Sequence, residues 1–279
     1  MPAPKKSPQQ YLATGFRDVD RSGDTTACTR CLDLLSDIPF FHAVKEESFR
    51  IIAGTEPERV LDAGCGAGND LCALAPLLPP STRILGLDAS AALLSTATER
   101  IAAHRDRCFL LRGDLTHIPC RSGVFDACRI DRVLQHIPDP EQVIRELARI
   151  LAPGGTLVAF DNDWDTLSIG VSATKVAGRL TRFWSDSFAS GRIGKDLAGI
   201  FRRAGLSDIH AEPKTLMLTD LALAEKVFDI PALLGRMKEA GHFSDGEIAA
   251  IKTDLERRAN EGTFTSGYTA YLVWGRKTD

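Results

Sequence analysis

Three glycines at alternate positions, Gly64, Gly66 and Gly68, follow a short apolar run, with an acid, Asp62, two residues before the first of them. Such a turn adopts dihedral angles that a Cβ would forbid, and it lets backbone N–H groups approach a ligand closely. Asp88 ends a second apolar run 20 residues beyond Gly68, and Asp114 follows a third, after Gly113. A carboxylate at a strand tip beside a glycine turn can accept hydrogen bonds from both hydroxyls of a ribose, and charge-assisted bonds of that kind are the stronger ones. Further along, Asp131, Arg132 and His136 crowd together, and Asp161-Asn162-Asp163-Trp164-Asp165 combines three carboxylates with a flat ring. His136, Asp131 and Asp163 are the groups there that could take a proton from a nucleophile. A ribose-bearing ligand held at the glycine turn, with titratable groups beside it, is what these types and spacings suit.

The elements that must position these groups are short strands alternating with helices, the pattern of an α/β sheet. Arg59–Ala63 reads as a buried strand, and a helix over 70–75 follows the glycines at once. Arg83–Asp88, Cys108–Arg112 and Phe125–Asp131 read as further strands, with Ser90 capping a helix over 91–104. Asp139 and Pro140 open the next helix, since proline suits the first helical position, and Val143, Ile144, Leu147, Ala148 and Leu151 form its apolar face. Pro153-Gly154-Gly155 stops it before a fifth strand over 156–160, so the acidic cluster is expected just past that strand, facing the ligand crevice with Trp164 as a flat wall. A helical insertion over 170–190, a helix over 191–204 stopped by Gly205, and strands over 208–218 and 264–274 complete the reading. Helices over 221–240 and 244–259 lie between those strands, the second opened by a Ser244/Glu247 capping box. Residues 11–57 look helical, broken at Ile38-Pro39-Phe40-Phe41-His42, and resume at Ala43.

Glycine spacing separates two cofactor classes. A dinucleotide fingerprint, G-x-G-x-x-G, would place its third glycine at position 69, which is Asn69. The D-x-G-x-G-x-G run from Asp62 to Gly68 instead resembles motif I of the class I S-adenosylmethionine-dependent methyltransferases. Gly113-Asp114-Leu115 resembles the family's G-D segment. The stretch from Phe125-Asp126 through Arg132-Val133-Leu134-Gln135-His136 to Asp139-Pro140 closely resembles the loop of small-molecule members akin to quinone-biosynthesis enzymes, and Arg149-Ile150-Leu151-Ala152-Pro153-Gly154-Gly155-Thr156-Leu157 is another family hallmark. The resemblance spans residues 57–165 strongly and the flanks in outline.

That resemblance implies a Rossmann-like seven-stranded sheet with helices on both faces and an antiparallel last strand. It also implies an N-terminal helical cap at 11–57 and a methyltransferase domain at 58–279, with a lid insertion around 219–262. The implied activity moves a methyl group from S-adenosyl-L-methionine to an O, N or C nucleophile of a small molecule, such as a secondary metabolite or a quinone-like compound. The alternative is a protein that binds the same cofactor as a cyclase or regulator, because function belongs to the site and not the scaffold. By resemblance, Asp62 lies near the cofactor's amino-acid end, acting through water, and Gly64, Gly66 and Gly68 form the turn. Asp88 and Ala89 meet the ribose, Asp114 the adenine amino group, and the Leu115 N–H a ring nitrogen. Arg132 lies in the loop beside the transferable methyl. Tyr11, Phe16, Phe40, Phe41 and His42 of the cap are candidates for lining the pocket.

Composition narrows the partners. At 279 residues, 44% hydrophobic and 25% charged, the chain can bury a substantial core. A formal net charge of -3, with no N-P-P-Y-type motif after the fourth strand, argues against a nucleic-acid substrate. No apolar run approaches the roughly 18 residues of a membrane span. Residues 1–10 carry two lysines without an apolar core, so they read as a disordered tail and not a secretory leader, and cytoplasmic residence is the expectation. The cysteines number seven; Cys28-Thr29-Arg30-Cys31 has no second pair or close histidine pair and reads as two half-buried thiols on a helix, although arsenic-methylating relatives of this fold use cysteines. The acidic cluster lacks the glycine and glutamate of a calcium loop, Thr166 and Ser172 standing there instead, and no metal is expected.

Overall fold

A computed structural model describes residues 16, 18–21 and 24–278; the expected tail at 1–10 and Tyr11 lie outside the described residues. Seven strands form one sheet: β1 (Arg59–Ala63), β2 (Arg83–Asp88), β3 (Cys108–Arg112), β4 (Phe125–Asp131), β5 (Leu151–Ser168), β6 (Leu206–Leu218) and β7 (Ser266–Lys277). Their order is β3-β2-β1-β4-β5-β7-β6. The strands β1 to β5 pair in parallel, and β7 runs antiparallel between β5 and β6. The order reverses between β1 and β4, where open α/β sheets bind their ligands at the carboxyl ends of the strands.

The helices are α1 (Thr25–Ser36), α2 (Pro39–Ala53), α3 (Asn69–Leu74), α4 (Ala91–Arg100), α5 (Pro140–Ile150), α6 (Thr174–Asp186), α7 (Ile193–Arg203), α8 (Leu221–Val227), α9 (Ile230–Glu239) and α10 (Asp245–Asn260). The pleat sends alternate residues to opposite faces and so divides the core in two. On one face Leu61, Ala63, Cys128 and Ile130 pack against Leu147 of α5 and Leu197 and Phe201 of α7. On the other, Val60, Ala127, Val158 and Phe160 pack beneath Phe41, Phe49 and Ile52 of α2, with Leu71 and Leu74 of α3. That second face also carries Asp62, Arg129, Asp131 and Asn162, so a polar row runs across the sheet beneath the N-terminal helices.

Several boundaries differ from the sequence reading, each for a local reason. The helix α2 starts at Pro39, because proline fits its first turn, and the break is confined to Asp37-Ile38. The helix α4 tightens at Ile101–His104 into a 3₁₀ turn. The expected helix over 221–240 is split, because Asp229 takes a left-handed φ of 46° and Pro231 lies in the first turn of α9. Ser244 and Glu247 form the expected capping box. The largest difference is β5, which runs on to Ser168 because β7 supplies ladder partners as far as Asp163 and again at Ser168. The acidic cluster therefore lies inside a strand.

Candidate active site

The glycine turn is fastened to the tip of β2. Gly64 N–H donates to the Leu87 carbonyl at 2.7 Å, and Gly66 N–H donates to Asp88 Oδ2 at 2.8 Å. Asp88 Oδ1 accepts from Ser90 N–H at 2.9 Å, and Ser90 in turn caps α4. Burial pushes the Asp88 carboxyl up and the backbone N–H donors oppose it. Gly64 has φ +73°, and a Cβ there would sit 2.3 Å from a Val133 methyl, so no other residue fits. Gly68, φ +81°, opens α3 against Ala97.

A cavity of about 510 Å³ lies at the carboxyl ends of the strands, a size suited to a small-molecule site. Following the strand order, Asp114 and Leu115 line it after β3, Asp88 and Ala89 after β2, and Gly64 and Gly66 after β1. Asp131, Arg132 and His136 line it at β4, then Asn162 and Trp164 on β5 and Tyr268 on β7. Phe16, Leu32 and Phe41 close it from the N-terminal side. Asp114 Oδ1 also accepts from Thr116 N–H at 2.8 Å, which holds its own loop.

Three sequence-predicted residues lie elsewhere. Gly68 is at the base of the turn. Asp62 is buried below it, opposite Arg129 in the β1–β4 register, where Oδ1 accepts from Arg129 Nη1 at 3.1 Å. The pleat thus turns Asp62 into a partner of a buried arginine and not a cavity wall. Asp163 is the third. Its side chain leaves β5 on the α7 face, 3.7 Å from Lys195 Nζ, because strand alternation gives the cavity Asn162 and Trp164 and gives Asp161, Asp163 and Asp165 to the other side. Asp165 there pairs with Arg192 at 2.7 Å. Asp161 is fully buried and accepts from the N–H groups of Asn162 at 2.9 Å and Gln135 at 3.3 Å; burial pushes its carboxyl up to about 7.

Arg129 stands at the centre of the polar row, 2% exposed. It donates to Asp62, Asp131 and Ser48 and pairs with Asp70 at 2.8 Å. Lys45 of α2 reaches Asp70 at 2.6 Å. These cations hold the Asp70 carboxyl well below the usual range, whereas burial outweighs Arg129 at Asp62 and pushes that carboxyl up to about 6. Asp131 accepts from Arg129 on one oxygen and from Arg132 Nε on the other, at 2.8 Å. With both oxygens held by guanidinium groups, Asp131 is an anchor and is poorly placed to receive a proton from an acceptor.

Arg132 takes a left-handed φ of 54°, a conformation that costs a non-glycine residue about 1–2 kcal/mol. Three contacts hold it there: its N–H donates to the Phe160 carbonyl at 2.7 Å, its Nε reaches Asp131, and its guanidinium stacks 4.5 Å from the Phe41 ring centroid. His136 lies in the 3₁₀ turn Leu134–His136, its ring 5.6 Å from both Phe16 and Phe188. Between them Gln135 Oε1 accepts from Trp164 Nε1 at 2.7 Å and from Asn162 Nδ2 at 2.9 Å. Trp164 stacks on Phe188 at 5.3 Å and meets Tyr268 at 4.3 Å. Of the cap candidates, Phe40 packs against Phe41 and Phe160, and His42 is at the surface beside Glu46. Sequence reasoning missed Arg129, Gln135, Asn162, Trp184, Phe188 and Tyr268; the period-2 alternation that puts Asn162 on the same strand face as Trp164 was the one signal that could have found one of them.

A model of the methyltransferase domain family matches residues 61–159. The chain is 32% identical over 251 residues to a 37.1 kDa protein in transposon TN4556 of Streptomyces fradiae, covering 88% of this chain and 70% of that one. It is 28% identical over 189 residues to the demethylmenaquinone methyltransferase of Halalkalibacterium halodurans, covering 61% of this chain and 76% of that one. The chain belongs to the class I S-adenosylmethionine-dependent methyltransferases. The fold of this methyltransferase is also that of the N-methyltransferase NodS from Bradyrhizobium japonicum, solved with S-adenosyl-L-homocysteine: the TM-score is 0.55 at 16% identity, covering 88% of this chain and 91% of that one. No helix among the described residues is long and apolar enough to cross a membrane.

Proposed function

We propose that the chain methylates a small molecule bound in the same cavity as the cofactor, with the cofactor at the β1–β3 tips and the acceptor against β5 and β7. The observation that carries this reading is one continuous cavity whose polar strand-tip end, Asp88 and Asp114, gives way to an aromatic end, Trp164, Trp184 and Tyr268. The site fits the cofactor because Gly66, φ +53°, and Leu32 both line the cavity, and a Cβ at Gly66 would stand 3.3 Å from the Leu32 side chain, inside the cradle that the turn leaves open.

When bound, S-adenosylmethionine supplies an electrophilic methyl on its sulfonium sulfur. Asp88 and Ala89 hold the ribose hydroxyls, Asp114 the adenine amino group and the Leu115 N–H a ring nitrogen. Arg132, the single cation among the described lining residues, is the partner for the cofactor's carboxylate. Alignment of the acceptor with the methyl can supply much of the rate. His136 receives the proton of an acceptor that must lose one. The cap helices over 24–53 and the excursion around 219–262, which brings Val227 to the cavity, exclude water. A quinone-like or other planar metabolite suits the aromatic end, and the reading places the protein in solution in the cytoplasm.

Incubation with methyl-labelled S-adenosylmethionine and a low-mass cell extract tests this. Label in a low-mass product is expected. S-adenosylhomocysteine binding without any label transfer would favour the cyclase or regulator reading.

A further inference from the structure

The amide orientations around Gln135 fix what the aromatic end of the cavity can recognise. Gln135 Nε2 donates to the Arg132 carbonyl at 3.1 Å, so its Oε1 faces the other way. A tryptophan N–H can only donate, and Trp164 Nε1 donates to that Oε1 at 2.7 Å. Asn162 must then offer its Nδ2 to the same oxygen, at 2.9 Å, and cannot flip without setting two carbonyl oxygens against each other. Its Oδ1 is left over. That atom is buried with no hydrogen-bond partner among the described residues, on a side chain that is 2% exposed and lines the cavity. A buried acceptor left unmatched is costly, and the cost is recovered when a ligand brings a donor.

We propose that Asn162 is a specificity residue, and that the acceptor is a planar aromatic molecule whose O–H or N–H donates to Asn162 Oδ1. The walls support the planar part: Trp164 stacks on Phe188 at an interplanar angle of 22°, with Tyr268 and Trp184 beside it. They supply flat apolar area, and the unmatched amide oxygen supplies direction. Sites built to bond a hydroxyl reject the analogue without one far more strongly than apolar pockets tell shapes apart. The proposal rests on the methyl-transfer reading for the placing of the acceptor, and the experiment separates the two.

Calorimetry on the full chain, first titrated with S-adenosylhomocysteine, uses 2-naphthol and 2-methoxynaphthalene as probes. They share a flat bicyclic ring and differ in having or lacking the O–H. An apolar pocket alone would favour the ether, whereas a matched Asn162 Oδ1 favours 2-naphthol by about tenfold. In Asn162→Leu, which keeps the branched shape and heavy-atom count and removes the amide oxygen, the preference should fall to within about twofold or invert. Equal binding of the probes by the unaltered protein, binding of neither, or a preference that survives in Asn162→Leu would overturn the proposal. The comparison in the unaltered protein needs no variant, so misfolding of Asn162→Leu would not remove the test. Failure of the S-adenosylhomocysteine titration would count against the methyl-transfer reading, and the probe preference, measured then on the free protein, would still judge Asn162.

Discussion

His136 and Asp131 stand five residues apart, yet their surroundings give them different work. Asp131 is held between two guanidinium groups, so proton transfer to it would break an ion pair. His136 lines the cavity between two aromatic rings, and the proposed function gives it the role of base. General-base help is typically worth about 10²–10⁴-fold. We predict that His136→Ala lowers turnover of labelled S-adenosylmethionine by roughly that factor and leaves S-adenosylhomocysteine affinity within about twofold. A parallel fall in affinity would make His136 a support under the cofactor, and an unchanged rate would show that alignment suffices. Residue types in the loop after β4 were legible because the motif's spacing names them. That Asp131 is tied up by guanidinium groups was not, since that depends on Arg129, whose other partners come from β1, α2 and α3.

The sheet decides which side chains reach the site. The strands β1 to β4 were legible to the residue, because each is a short apolar run bounded by glycine, proline or an acid. The extent of β5 was not, since its last turn-like residues become a strand only when β7 pairs with them. That one element reversed the reading of the acidic cluster, sending its carboxylates to α7 and its Asn162 and Trp164 to the cavity. Arg129 illustrates the same limit: an arginine in the middle of a core strand reads as an anomaly until Asp62, Asp70 and Asp131 are brought around it. Removing one partner from a buried ion network typically costs about 3–5 kcal/mol. Arg129→Met should therefore lower the urea unfolding free energy by about that much, since Asp62 is left buried with no cation beside it. A loss under about 1 kcal/mol would mean that the carboxylates readjust or protonate at little cost.

At the scale of the whole molecule, the N-terminal segment is tied to the sheet by polar contacts close to the cavity. Asp20 accepts from Ser90 Oγ at 2.6 Å and from Ala91 N–H at 2.9 Å at the start of α4. Asp33 of α1 meets Asn69 and Arg100, each at 3.0 Å. Asn69, the residue that breaks the dinucleotide pattern, is thus a docking point for the cap. Binding at the strand tips should tighten these ties, so we predict that S-adenosylhomocysteine slows hydrogen exchange in residues 24–53 and in 219–262 as well as at the glycine turn. Protection confined to the turn would show that neither segment closes over the site. Asp88 at the β2 tip is proposed to hold the cofactor's ribose. Calorimetric titration of S-adenosylhomocysteine into the unaltered protein and into Asp88→Ala tests it most directly. A loss of roughly 1.5–3 kcal/mol is expected in the variant, the range for a hydrogen bond to a charged group, with no binding of NAD to either protein. Equal affinity of the two proteins for S-adenosylhomocysteine would contradict it.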